Sequence, residues 1–176
     1  MLSLFAVPSY AHDVPDPEGM LEDKDLRIND EVAYYIAQFF VDDMFHTGAT
    51  KWANAPAILD VVAMYDETGK AITAYTVELT EGYVVVSAFV DMPCIILEWA
   101  DEAAPAYREF AATPIAMNNK DSGQVKILYL GGLDYYLDTG NSTVVDTMGE
   151  VVSRDGLYTD FDEFRSTDYV SDSMMD

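Results

Sequence analysis

The stretch from residue 71 to 99 constrains the fold most, because its pattern predicts three successive β-strands. From Ile72 to Leu79 apolar and polar residues alternate, as in a strand with one buried face. Gly82 then interrupts the pattern, and glycine suits a short hairpin connection. Residues 83–88 are apolar on both faces, which predicts the central strand of a sheet. Residues 94–99 follow a proline and predict the third strand.

A long helix is predicted upstream of these strands. Asn29 or Asp30 can cap its first turn, and Gly48 ends it. Its apolar residues recur at steps of three and four, which predicts a stripe packed on the sheet. The stripe consists of Val32, Ile36, Phe39, Phe40 and Met44. Trp52, in the loop that follows, is expected to pack under the sheet.

Further strands are predicted on either side of the central stretch. Residues 58–65 form one before it, and shorter strands follow at residues 125–130, 135–137 and 143–145. A short helix is expected to begin near Pro105 and to end before Pro114. The sequence therefore predicts an α+β fold: an antiparallel β-sheet with one long helix and one short helix packed on a face, plus a C-terminal β-hairpin.

The central stretch also resembles a known family. Residues 82–88 read GYVVVSA, and Asp91, Pro93 and the strand sequence IILEW follow at short distance. This resembles the prodomain of streptopain-type cysteine proteases and the related Spi-type protease inhibitors, which stand alone. That family shows a glycine, an aromatic residue, a β-branched run, Ser-Ala or Ser-Gly, and a second strand after a proline. The likeness covers roughly residues 32–152 and is strongest in the central third.

The resemblance implies two partner-binding segments. In the family, the loop between the last sheet strand and the short helix faces the protease cleft. Here that loop contains Asp101, Glu102, Ala103 and Ala104, and it departs from the family because it has no polar amide such as Asn. The segment that resembles the connector to a catalytic domain is expected beside the loop. Its candidate contact residues are Gly131, Gly132, Tyr135 and Tyr136.

The chain divides into four predicted parts. Residues 1–11 resemble the end of a clipped secretory signal peptide, which predicts a secreted or cell-envelope protein. Residues 12–28 form an acidic lead-in, and residues 29–152 form the prodomain-like or inhibitor-like domain. Residues 153–176 are an acidic tail or the start of a missing neighbour. No run of 18 or more apolar residues occurs, so no membrane span is expected.

Charge and side-chain chemistry exclude several classes of function. The chain has 32 acidic and 9 basic residues, a net charge of −23, which makes nucleic acid an improbable partner. Cys94, the only cysteine, lies in an apolar strand without a local histidine, and we expect a buried structural thiol. His46 is expected to complement the helix dipole. No nucleophile motif and no metal-ligand spacing occurs, so the sequence predicts no enzyme, no metal site and no cofactor.

The expected function is inhibition of a papain-like cysteine protease. The chain would be an inhibitory prodomain or a stand-alone inhibitor that fills the substrate groove. Two alternatives stay open. One is a secreted acidic module that binds calcium or a cell-surface ligand, suggested by the charge of −23. The other is a fragment of a protease precursor that lacks its catalytic domain.

Overall fold

The computed structural model describes residues 21–22, 27–108, 126–138, 140 and 142–157. Within them the chain forms ten strands, helix α1 (Asp30–Thr47) and a short 3-10 helix (Arg154–Gly156). The strands are β1 (Leu21–Glu22), β2 (Arg27–Ile28), β3 (Ile58–Tyr65), β4 (Ile72–Leu79), β5 (Tyr83–Ser87), β6 (Ile96–Ala100), β7 (Lys126–Tyr129), β8 (Tyr135–Asp138), β9 (Thr143–Asp146) and β10 (Val151–Ser153).

Eight of these strands form one large sheet. Its order is β10-β9-β8-β7-β3-β4-β5-β6, and β1 and β2 form a separate two-stranded sheet. Neighbours are antiparallel except β3 and β7, which pair in parallel through Met64 with Ile127 and Tyr65 with Leu128. The α+β class is confirmed. The parallel pair makes the sheet mixed, and β8 to β10 continue it as antiparallel neighbours.

Helix α1 has the predicted ends. The Asn29 side chain accepts a hydrogen bond of 2.9 Å from the Val32 amide, and Gly48 closes the helix in a left-handed conformation with φ +68°. The buried face agrees with the predicted one only in part, because four of the five predicted residues pack against the core but are not its most buried members. Ala33, Ala37 and Val41 are fully buried, whereas Phe39 is 78% exposed.

The small size of Ala33 and Ala37 explains why they lie at the centre of the contact with the sheet. Two alanines let the helix axis approach the sheet closely, and larger residues then pack along the flanks of the contact. Val32, Ile36, Phe40 and Met44 do so as partly buried neighbours. Phe39 was therefore assigned to the wrong side. Trp52 is only 6% exposed and lies in the same core, as expected.

The sheet curls strongly away from the helix. Tyr135 on β8 donates a hydrogen bond of 2.7 Å to Glu98 on β6, although four strands separate β8 from β6 in the sheet. In a flat sheet five strand spacings would set them about 24 Å apart. A second core therefore fills the concave face, opposite the helix; it includes Met64, Tyr83 and Val85.

This curl changes the interpretation of the central stretch. Strand β4 was predicted to have one polar, solvated face, yet Thr76 and Glu78 are buried because the concave core covers them. Strand β5 is buried throughout, but it is the neighbour of edge strand β6 and not the centre of the sheet. Both of its faces are apolar because the helix-side core covers one face and the concave core covers the other. Strand β6 begins at Ile96 instead of residue 94.

Some predictions fall on residues that the structure does not describe. The predicted short helix begins within the described residues, because Tyr107 and Arg108 are helical and the Arg108 amide bonds to the Pro105 carbonyl at 2.9 Å. The rest of that helix lies outside the described residues. The signal-like segment, most of the lead-in and most of the C-terminal tail do so as well. Within the described part, no helix has the length and apolar character needed to span a membrane.

Candidate functional site

The predicted contact loop, residues 101–104, leaves the end of edge strand β6. Asp101 is partly buried, and the next three residues, Glu102, Ala103 and Ala104, are exposed. The hairpin glycine Gly82, with φ +92°, packs against the start of this loop. A Cβ atom at Gly82 would lie 2.0 Å from the Ala100 carbonyl oxygen, so only glycine permits this approach.

The segment after helix α1 anchors the first end of the loop. The indole Nε1 of buried Trp52 donates to the Asp101 carbonyl oxygen at 2.9 Å, and the Lys51 amide donates to the Asp101 carboxylate at 3.2 Å. The Lys51 ammonium also pairs with Glu102 at 3.1 Å, which raises the pKa of Lys51. That ion pair is exposed, so the bond from Trp52 is the firmer anchor.

A buried carboxylate anchors the second end of the loop. Glu78 of β4 is 5% exposed; it accepts a hydrogen bond from the Tyr107 hydroxyl and forms an ion pair with Arg108. Burial and the Glu78 charge raise the pKa of the Tyr107 phenol. Pro105 is buried as well. Both ends of the loop are thus held by groups with little access to water.

A second carboxylate binds two tyrosines inside the concave face. Glu98 of β6 accepts hydrogen bonds from Tyr83 and Tyr135, and the Tyr135 ring lies 5.0 Å from the ring of Tyr129. Burial is the main cause that raises the pKa of all three phenols, and the Glu98 charge adds to it. These hydroxyls stay protonated at neutral pH. As protonated phenols they can donate hydrogen bonds.

The second predicted contact segment lies away from the loop. Gly131 and Gly132, with φ +100° and +54°, form the turn between β7 and β8 and border a cavity next to Ile96, the first residue of β6. The loop leaves the other end of β6, beyond Ala100. Four residue steps along the strand correspond to about 13 Å. The structure therefore does not join the two segments in one surface.

The two tyrosines of that segment have different environments. Tyr135 is 1% exposed and points into the concave core, so its side chain is not a surface contact. Tyr136 is partly buried, and limited burial together with Asp134 and Asp146 raises its pKa. Of the eight predicted contact residues, Glu102, Ala103, Ala104 and Gly132 are the exposed ones.

The expectation for the cysteine was wrong. Cys94 is exposed, because it precedes β6 in a loop and its thiol donates to the Ile96 carbonyl at 2.8 Å. His46 lies in the last turn of α1, as predicted, with Nδ1 2.6 Å from the Asp42 carbonyl oxygen. Among the described residues, no group of three or more His, Cys, Asp or Glu side chains is placed to hold a metal ion.

The anchors of the loop were not predicted, although the sequence held a signal for them. Glu78 and Glu98 are charged residues within otherwise apolar strands. A carboxylate in such a strand needs hydrogen-bond donors when it is buried, and tyrosines are abundant in this chain. That pattern could have identified both carboxylates as internal hydrogen-bond acceptors.

The site so described combines a clamped, exposed loop with a curled sheet. Its exposed residues, Glu102, Ala103 and Ala104, offer one carboxylate and two small apolar side chains. No protein-family model, no curated protein and no solved structure matches this chain.

Proposed function

We propose that this chain blocks the substrate groove of a papain-like cysteine protease with residues 101–104. Two things support the proposal: the resemblance of residues 82–99 to streptopain-type prodomains, and one structural observation. The observation is that three exposed residues of the loop lie between two buried anchors, Trp52 on one side and Glu78 on the other.

Anchoring at both ends favours inhibition through binding alone. A loop that is already ordered loses little conformational entropy when it enters a groove, so more of its contact energy becomes affinity. The alanine side chains of residues 103 and 104 are small enough to approach a narrow cleft. The blocking chain needs no chemical step of its own, because it acts by excluding substrate.

The charge of the chain indicates what kind of protease surface it prefers. A net charge of −23 accelerates encounter with a basic surface and repels an acidic one. We therefore propose that the target carries positive charge around its groove. The signal-like residues 1–11 support the further proposal that the encounter takes place outside the cell or in its envelope.

Inhibition of a purified streptopain-type protease tests the proposal. Wild-type protein at micromolar concentration should abolish cleavage of a peptide substrate. Ala103→Glu adds bulk and charge to the loop and should weaken inhibition at least tenfold, about 1.4 kcal/mol. Met148→Glu is the matched control, because it adds the same charge at a residue that is 84% exposed and lies in the turn before β10.

The two variants separate a loop effect from a charge effect. Met148→Glu should inhibit as wild type does. Full protease activity at micromolar wild-type protein would refute the proposal. Equal inhibition by Ala103→Glu and wild type would show that residues 101–104 do not enter the groove.

A further inference from the structure

The structure contains a cavity that the proposed inhibitory loop does not use. It has a volume of about 290 Å³ and lies where the curled sheet fails to close. Residues 92–94 line it from the segment that leads into β6, and Ile96 and Leu97 line it from the start of β6 itself. Tyr129 and residues 131–132 line it from the β7–β8 hairpin. Pro93, Cys94 and Gly132 are exposed, so the cavity is open to solvent at that rim.

The lining favours an apolar and uncharged occupant. Most of the side chains that face the cavity are aliphatic, and no Lys or Arg is among the lining residues. The closest charged residues along the chain are Asp91 and Glu98, which flank the lining segment and are both acidic. The described lining therefore offers an anion no compensating charge, and the two flanking carboxylates repel it.

The size of the cavity and the side chains that could contact a ring indicate the class of ligand more closely. An apolar protein cavity of roughly 150 Å³ accommodates benzene, so a cavity of about twice that volume has room for a molecule with two fused rings. Tyr129 offers an aromatic ring and Met92 a thioether, and both interact favourably with aromatic rings. We propose that this cavity binds a small, neutral, two-ring aromatic molecule.

The proposal does not depend on protease inhibition. The cavity lies at the Ile96 end of β6, and the loop leaves the Ala100 end. Occupying the cavity therefore need not alter the loop. Each proposal can fail while the other stands, because the binding experiment below is performed without any protease.

Cys94 provides a direct reporter of occupancy. It is the only cysteine and it lines the cavity, so a bound molecule should shield its thiol. Indole is the probe, as a neutral two-ring molecule. We expect saturating indole to slow alkylation of Cys94 by iodoacetamide at least fivefold. At ten times its dissociation constant, indole should raise the ratio of folded to unfolded protein about elevenfold, which thermal unfolding measures.

Two variants and one anion complete the test. Cys94→Trp places an indole ring at the rim and should weaken indole binding at least tenfold in calorimetry. Met148→Trp, at a residue of the β9–β10 turn that is not among the lining residues, should bind as wild type does. Naphthalene sulfonate should bind at least tenfold more weakly than indole. An unchanged alkylation rate with saturating indole would overturn the proposal. Equal binding of indole by Cys94→Trp and wild type would overturn it too.

Discussion

Two carboxylates, buried Glu78 and partly buried Glu98, organise the concave face of the sheet. Glu78 binds the residues that hold one end of the loop, and Glu98 binds Tyr83 and Tyr135 across the curl. Burying a carboxylate is costly unless several donors surround it. The donors to Glu78 are the neighbours Tyr107 and Arg108, and those to Glu98 come from β5 and β8, so in both cases donor and acceptor lie on different segments of the chain. Each carboxylate therefore specifies the approach of those segments as well as its own position.

Substituting Glu98 with glutamine should expose this role. Tyr83 donates to one carboxylate oxygen and Tyr135 to the other, whereas an amide side chain offers a single acceptor oxygen. One buried phenol would lose its partner. We expect Glu98→Gln to lower the free energy of unfolding by about 1–3 kcal/mol in urea titrations.

Glu102→Gln is the control for the loss of charge. Glu102 is exposed, so its substitution should change stability by less than about 0.5 kcal/mol. Equal stability of Glu98→Gln and wild type would mean that the two tyrosine bonds contribute nothing to the curl.

At the level of elements, sequence patterns predicted where the helix and strands lie but not how they face. The ends of α1 follow from Asn29 and Gly48, which act locally. The bounds of β3 and β4 agree with the predicted ranges, residues 58–65 and 72–79. The buried side of α1 and the solvent access of Glu78 depend on what other segments cover them. The periodicity of apolar residues within one element does not show which distant segments will cover it.

The same limit applies to the candidate site. The position of the loop was predicted from the end of the strand before it and from the resemblance to streptopain-type prodomains. Its anchors connect distant parts of the chain: Trp52 lies 49 residues from Asp101, and Glu78 lies 29 residues from Tyr107. Cys94 was misplaced because β6 begins two residues later than its apolar pattern suggested.

The β4–β5 hairpin offers a test of the close approach beside the loop. In Gly82→Ala the new methyl group would collide with the Ala100 backbone, and the residue would also be held at φ +92°. We expect a loss of about 2–4 kcal/mol of stability in urea, because the β5–β6 pair must separate to relieve the clash.

Gly149→Ala is the matched control for backbone strain. Gly149 has φ +80°, and a methyl group there would contact no atom within 4 Å. It should cost only about 1–2 kcal/mol, the strain of the left-handed conformation. If both variants lost the same stability, the clash at Ala100 would not matter.

For the whole molecule, the curl of the sheet encloses tyrosines that must remain protonated. Burial raises the pKa of Tyr83, Tyr107, Tyr129 and Tyr135 above the usual value of 10.0. The unfolded chain releases these protons near pH 10, while the folded chain retains them. The folded state then binds more protons than the unfolded state, so stability falls as pH rises above about 10. Below that pH their contribution is complete.

The alkaline decline should be steep and should depend on these particular tyrosines. Each contributes a slope of up to about 1.4 kcal/mol per pH unit above pH 10. Urea unfolding at increasing pH measures it. Tyr135→Phe should have a shallower decline than wild type, whereas Tyr35→Phe, at a residue 46% exposed, should not. Parallel declines for the two variants would contradict the enclosure of Tyr135.

We propose that this molecule occupies a protease groove, and calorimetry with two forms of one protease can measure whether it does. One form has a free groove, and in the other a covalent peptide label on the active-site cysteine fills the groove. We predict saturable one-to-one binding to the free form, with micromolar or tighter affinity, and at least a hundredfold weaker binding to the filled form. Equal binding to both forms, or binding to neither, would show that the chain does not occupy the groove.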